Sequence, residues 1–406
     1  MRDRPRSRGY KWILLATLTS ANAATLGVLF ATPAVAPFLQ VDLGATRTEI
    51  GFLMSANLIG GVITAIPGGW LADKNIRWNL LCFQGLIVGS VIFFSRAATL
   101  ESALVACFMV GVGTGGVLPS MTKAVTNWFS SRERATAMGL FFSGASVGSA
   151  ASAAILPSLS LGVGWRQVLL FMAIVILAVG VGSSVLYRDN RELARPGPTT
   201  ATGARPREGK AKSIYWNLTR LGLVAILLGG PQYAMATYLL LYLKQALLFS
   251  VVQAGLFLAV AQGCGLLGRI GSGILSDRLF NGSRRLVFLA MGVVFTVCLS
   301  LIAAGVSQET ALLVLMVVIG LSGFGWFSIW MTWLAEISAS GSAAALGYGQ
   351  TCAYVGVIIG PPLFGYMVDA TNSYLPAWTV SSVVVGIGTL LILSVREPRK
   401  TSHATG

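Results

Sequence analysis

The chain has 406 residues, 55% of them hydrophobic and only 11% charged. A soluble protein of two ordinary domains spreads Lys, Glu, Arg and Asp over its helix surfaces, so this composition excludes one and makes lipid the solvent. The net charge of +15 belongs to tails and loops that meet anionic lipid headgroups, and no nucleic-acid partner is needed to account for it.

The basic arm Met1 to Lys11 precedes an apolar run too long for the core of a cleaved signal, so this run is read as a first membrane helix. Apolar runs of about 20 residues bounded by charges or turn residues recur along the chain. They predict spans at 11–38, 48–72, 79–97, 100–128, 135–158, 165–187, 214–242, 250–276, 285–305, 309–335, 341–368 and 374–395. Hydrocarbon tolerates neither open strand edges nor lipid-exposed irregular backbone, and the runs show no period-two alternation, so the fold class is all-α with twelve transmembrane helices. Residues 188–213, with Pro196, Pro198 and Pro206 among charges of both signs, read as a linker. The expected organisation is a six-helix bundle over 1–187, the linker, and a second bundle with a short tail over 214–406.

Cys82, Cys107, Cys264, Cys298 and Cys352 all fall in apolar segments without metal-ligand or paired spacing and are read as small buried hydrophobes. With both termini placed in the cytoplasm, that side holds 22 of the 29 Lys and Arg residues and the other side four, Arg47, Arg96, Arg166 and Lys244. The bias predicts an integral protein of the inner or plasma membrane with cytoplasmic termini.

The halves superpose at a shift of 204 positions. Gly69, Leu71, Asp73 and Lys74 return as Gly273, Leu275, Asp277 and Arg278, and Pro157 returns as Pro361; Trp128 and Trp333 match at 205. Parallel repeats of this kind build alternating-access carriers. The segment Gly69, Leu71, Ala72, Asp73, Lys74 and Arg77 resembles the signature of the major facilitator superfamily, with Ile76 standing where its second glycine usually lies. The resemblance covers essentially the whole chain. Pro119, Lys123, Trp128-Phe129, Arg132-Glu133-Arg134-Ala135, Gly139 and Ser143-Gly144 are similar to the anion:cation symporters, which carry hexuronates, other sugar acids and other organic anions. The first helix lacks their Asp-Arg pair, offering Ser20, Asn22 and Thr25. The fourth has Gly115-Gly116 near their glutamate, and in this the chain resembles oxalate:formate and monocarboxylate carriers, which place an arginine in the eighth helix. The resemblance implies a secondary active transporter of a small organic anion, by exchange or proton-linked uptake, working as a monomer without cofactor or metal; a drug or metabolite exporter is the alternative.

Asp73 and Asp277 close their helices beside Lys74, Arg77, Arg278, Arg284 and Arg285. Both are expected to act as latches, pairing with Arg132, Arg134 or another basic residue across the helix interface when the cytoplasmic side is shut, and Glu133 and Glu336 complete the gating set. Arg269 lies eight residues before Asp277, which puts it about 12 Å inside the helix end, near the midplane. All fourteen acids fall in loops, tails or outermost turns. A guanidinium so deep is read as the anchor for a substrate carboxylate, gripped bidentately; the competing reading bonds it to backbone carbonyls freed by Gly263, Gly265, Gly268 and Gly271. Gln262, seven residues earlier, shares its helix face. Lys123, two turns inside the fourth span, is a second candidate, while Arg220 is read as an interface residue. Asn22, Gln232, Tyr233, Tyr238, Trp326, Trp330, Tyr348, Gln350 and Tyr354 are polar or aromatic candidates to line a cavity. An enzyme is excluded by its missing parts: the one histidine is His403 in the tail, and no general base or triad lies in the spans.

Overall fold

The computed structural model describes residues 4–188, 208–280, 282–337 and 343–395, and all of its regular structure is helical. In chain order the helices are α1 (Arg4–Leu29), α2 (Ala31–Leu43), α3 (Arg47–Lys74), α4 (Ile76–Ser95), α5 (Leu100–Trp128), α6 (Ser131–Val163) and α7 (Trp165–Leu186), then α8 (Glu208–Gln245), α9 (Val251–Arg278) and α10 (Arg284–Ala303). They continue with α11 (Glu309–Ile319), a π-helical turn at Gly320–Phe324, α12 (Trp326–Ile337), α13 (Ala343–Thr371) and α14 (Tyr374–Ile392). Among the described residues twelve helical stretches are long and apolar enough to cross a membrane, and each coincides with one predicted run.

Two of the runs are more complex than the hydropathy pattern implies. The first breaks at Phe30 into α1 and α2. Pro33 cannot donate the amide bond that the carbonyl of Leu29 would accept in a continuous helix. The combined stretch extends to Leu43 and stops where Gly44 adopts a positive φ of 65°. The tenth run is split by the π turn, where Gly320 and Gly323, with Gly325 directly after, give a backbone unhindered by side chains.

Local capping fixes the helix starts, and two caps obey the internal repeat. Thr46 accepts from the Glu49 amide while Glu49 accepts from the Thr46 amide and hydroxyl, a capping box opening α3. Ser250 and Gln253, 204 positions later, make the same reciprocal bonds before α9.

Contacts divide the chain into two compact units. The first holds residues 1–199 with 234–263 and 361–374; the second holds 200–233, 264–360 and 375–406. In the first, α3 packs along α5, α1 along α6, and α4 against α5 and α7. Small residues let these backbones meet. A Cβ at Gly68 would lie 2.6 Å from the Gly116 Cα, and one at Gly111 would overlap the Asn57 carbonyl. Asn79 ties the same seam, its side-chain amide donating to the Gly68 carbonyl at 2.9 Å and to Ser120 Oγ at 2.5 Å. In the second unit α10 packs on α12 and on the π turn. Trp326 stacks on Phe288 with ring centroids 5.9 Å apart.

The α3–α5 seam generates a test. Gly111→Leu should lower the midpoint of heat unfolding in detergent by several degrees, because overpacking at a backbone-to-backbone contact costs about 1–3 kcal/mol. Gly139→Leu, where a Cβ meets nothing within 4 Å, should leave the midpoint unchanged.

Candidate functional site

In the second unit the structure brings several of the predicted residues around Arg269. Nε of Arg269 donates to the carbonyl of Phe324 at 3.2 Å. That carbonyl belongs to the π turn, where the ordinary helical register is interrupted. The competing reading of Arg269 as a backbone-bound residue is therefore realised in part, with the acceptor on the neighbouring helix. Gly268 and Gly265 permit the approach. A Cβ at Gly265 would stand 2.7 Å from that of Phe324, and one at Gly268 would overlap the Leu321 carbonyl. Ser328 Oγ donates to the Arg269 carbonyl at 2.8 Å and lies 3.2 Å from Ser272 Oγ, so side chain and backbone of Arg269 are both tied to the π turn and α12.

Tyr233, on α8, lies within electrostatic reach of Arg269 and of Tyr354 on α13. Gln350 stands one turn before Tyr354 on α13. Tyr233 thus has Arg269 of α9 and Tyr354 of α13 as neighbours. Gln232 is next to Tyr233 in sequence: its Oε1 accepts from Trp326 Nε1 at 2.9 Å, and both side chains are buried.

Other candidates are placed elsewhere. Trp330 is fully buried, its indole N–H donating to the Leu221 carbonyl at 3.0 Å, which makes it a packing residue of the α8–α12 contact. Tyr348 is exposed, against Cys352 and Gly222. In the first unit, Asn22 is sealed inside the helix packing, its amide donating to the Phe141 carbonyl at 3.0 Å. Gln262 is buried on α9, and its Nε2 has no hydrogen-bond partner among the described residues. Tyr238 is buried against Phe364, with rings stacked at 4.9 Å, and its hydroxyl donates to the Arg47 carbonyl.

The expected latch residues form ion pairs, with partners that spacing alone does not identify. Asp73 accepts from Lys123 Nζ at 2.7 Å, and the same ammonium donates to the Ala72 carbonyl at 3.2 Å, so Lys123 stands at the end of α3. Glu133 receives Lys11 on both oxygens, at 2.6 and 2.8 Å. In the second unit Arg284 joins Asp277 at 2.6 Å to Glu336 at 2.9 Å and also donates to Ser276 Oγ. Lys74, Arg77 and Arg278 are exposed. The side chains of Arg132 and Arg134 lie outside the described residues.

A further polar cluster in the first unit has no counterpart among the residues that the sequence singles out. Asp369 Oδ2 accepts from the Thr48 amide at 2.7 Å and hydroxyl at 2.6 Å, and Oδ1 accepts from the amide and guanidinium of Arg47 at 3.2 and 3.4 Å. Arg47 also donates to Gln245 Oε1 at 3.1 Å, which accepts from the Tyr374 hydroxyl at 2.7 Å. Gln245 in turn donates to Gln40 at 2.7 Å. An isolated Asp near a predicted helix end reads as a solvated charge, and nothing near it in sequence points to a partner 322 residues away.

A family model described as Major Facilitator Superfamily matches residues 13–347. The chain belongs to the Major Facilitator Superfamily. Members of this family are membrane transporters, and this chain is an integral membrane transporter of that fold. Among relatives, a probable sulfoacetate transporter of Cupriavidus necator is 28% identical over 384 residues, covering 89% of this chain and 88% of that protein. A probable L-galactonate transporter of Escherichia coli is 24% identical over 391 residues, covering 89% of this chain and 84% of the other. The crystal structure of a bacterial homologue of the human lysosomal transporter Spinster, inward-facing and unoccupied, superposes with a TM-score of 0.79 at 15% identity over 97% of both chains.

The Asp73–Lys123 pair is half exposed, so its contribution is that of a rim pair. A double-mutant cycle of Asp73→Asn and Lys123→Gln, read by heat unfolding, should give a coupling of about 1 kcal/mol or less that shrinks with added salt.

Proposed function

We propose that this transporter moves a small organic anion across the membrane by alternating access and that Arg269 anchors the substrate carboxylate. The observation that carries the reading is a mid-helix guanidinium tied to the Phe324 carbonyl of the π turn, with the phenol of Tyr233 on α8 within its electrostatic reach. Such a pair offers a cation and a neutral hydrogen-bonding group to one oxyanion, and a guanidinium grips a carboxylate through two parallel bonds. The bond from Arg269 Nε to Phe324 orients the guanidinium plane before any ligand arrives. Further support is the end-of-helix position of the described acids, from Asp42 and Glu49 to Glu336 and Asp369, which leaves the middle of the spans with positive potential. The names carried by the relatives, sulfoacetate and L-galactonate transporters, are of the same substrate class.

Gln262, on the same face of α9 two turns before Arg269, keeps a buried amide nitrogen without a partner among the described residues. The two six-helix halves at 1–187 and 214–406 move against each other between states whose energies differ by a few kcal/mol, both termini are cytoplasmic, and Asp73, Asp277, Glu133 and Glu336, each paired within its own half, brace the helix ends. With no carboxylate or imidazole in the middle of the spans to relay a coupling proton, transport is exchange, or uptake in which the proton travels on the substrate.

The test is uptake into proteoliposomes of an isotope-labelled carboxylate panel that includes sulfoacetate and L-galactonate, with and without internal anion and with an imposed pH gradient. Arg269→Ala should abolish binding and uptake, and Arg269→Lys should recover little, since an ammonium cannot reproduce the planar fork. Full anion transport by Arg269→Ala would refute the anchor. Transport of lipophilic cations by the parental protein would move the reading to an exporter.

A further inference from the structure

The first unit contains two contacts between segments far apart in the chain, and the internal repeat relates them. A Cβ at Gly51 on α3 would lie 2.6 Å from the nitrogen of Pro362 and 2.7 Å from the Pro361 carbonyl carbon on α13. A Cβ at Gly255 on α9 would lie 2.5 Å from the Ala153 carbonyl oxygen and 2.9 Å from Pro157 Cγ on α6. Gly51 and Gly255 are 204 positions apart, and so are Pro157 and Pro361. Each contact seats a glycine, one turn past a capping box, on a proline-bearing helix of the other sequence half. A side chain at either glycine would force the facing helix to shift.

The two contacts differ in their chemistry. On the α3–α13 contact, the Asp369 carboxylate takes the two leading amides of α3, the Thr48 hydroxyl and the Arg47 guanidinium. Gly365 brings α13 onto the Arg47 carbonyl, which also accepts from the Tyr238 hydroxyl. The repeat-related positions carry no such pair: Val251 stands at the place of Arg47, and Trp165, the first residue of α7, at that of Asp369, its indole donating to Asp42. Leading helix amides carry partial positive charge and are satisfied here by a carboxylate from another helix. That bond set is lost as a whole when α3 and α13 separate.

We propose that Asp369 is a gating residue, the lock that holds the helix ends near Arg47 shut, at the opposite end of α3 from Asp73. Alternating access then works against the Asp369 bond set at this end, and the glycine–proline contacts provide the surfaces that it clamps. The inference requires transport by helix separation and is independent of Arg269 and of the substrate.

The experiment is a spin-label distance measurement on the full chain in nanodiscs. Val41 and Leu248 are 80% and 84% exposed and flank the Gln40–Gln245 hydrogen bond; both are replaced by cysteine after the five native cysteines are changed to serine or alanine. The parental protein should show a dominant short distance. Asp369→Asn should raise the ratio of a longer to the short distance by about tenfold or more, the scale of one lost charge-assisted hydrogen bond, with Asp369→Glu in between. Gly51→Ala, which keeps the acid but props the surfaces apart, should lengthen the distance as well. A purely structural cap would lower the unfolding midpoint of Asp369→Asn and leave the distances parental, and that result overturns the proposal. Parental distances in Gly51→Ala overturn it equally, and this arm stands even where Asp369→Asn does not fold.

Discussion

Hydrocarbon offers no hydrogen-bond partner, and most of what distinguishes this chain follows from that. Backbone groups must be satisfied within each helix, and side-chain hydroxyls follow the same rule. Thr64, Ser90, Thr114, Thr296 and Thr389 each bond the carbonyl four residues before them, hiding their polarity against their own helix. Apolar side chains cannot hold helices together when lipid is equally apolar, so contact depends on close approach. The Gly60, Gly68, Gly111 and Gly116 faces of α3 and α5 supply it.

Against that background Arg269 is costly wherever its charge meets lipid, at least about 2.5–3.5 kcal/mol at mid-helix. The structure meets the cost by breaking a helix nearby. The π turn at Gly320–Phe324 lets the Phe324 carbonyl accept from the guanidinium, while Gly265 and Gly268 bring α9 close enough for the bond to form. Irregular backbone at membrane depth is tolerated where it is buried in protein or lines a polar cavity. The arginine and the π turn are two sides of one arrangement, since each satisfies a group the other leaves in need.

The helices are legible from hydropathy because twenty apolar residues in a row have one stable solution in a bilayer. The internal repeat is legible because both halves keep their motif and cap residues. Arg269 stands out in the sequence because a charge at that depth is too costly to serve packing alone, and Tyr233, Tyr354 and Gln350 are visible as polar groups on neighbouring spans. What resists is pairing. Lys123 reads as a free cation until α3 and α5 are packed, which puts Asp73 at its tip. Asn22, Trp330 and Tyr238 read as cavity groups because a polar side chain in a span has the same sequence signature whether it faces a ligand or a backbone carbonyl. The π turn leaves only a glycine cluster, which elsewhere in the same chain means close packing.

The distribution of ion pairs bears on how such a protein can move at all. Lys11–Glu133, Lys123–Asp73 and the Arg284 cluster each lie within one unit and near helix ends. Partly exposed pairs at these ends are resolvated when they part, so breaking one costs about 0–1 kcal/mol. A carrier needs interchangeable states separated by only a few kcal/mol, and a deep ion pair would exceed that by leaving an uncompensated buried charge when it opened. Asp369 and Arg47 join the sequence halves at a helix end, with side chains 24% and 28% exposed, intermediate between rim and core. Their carboxylate is held largely by backbone amides at the start of α3, groups that water satisfies once the helices separate. The charge placement that makes the chain insertable in a membrane therefore also keeps its closed contacts reversible.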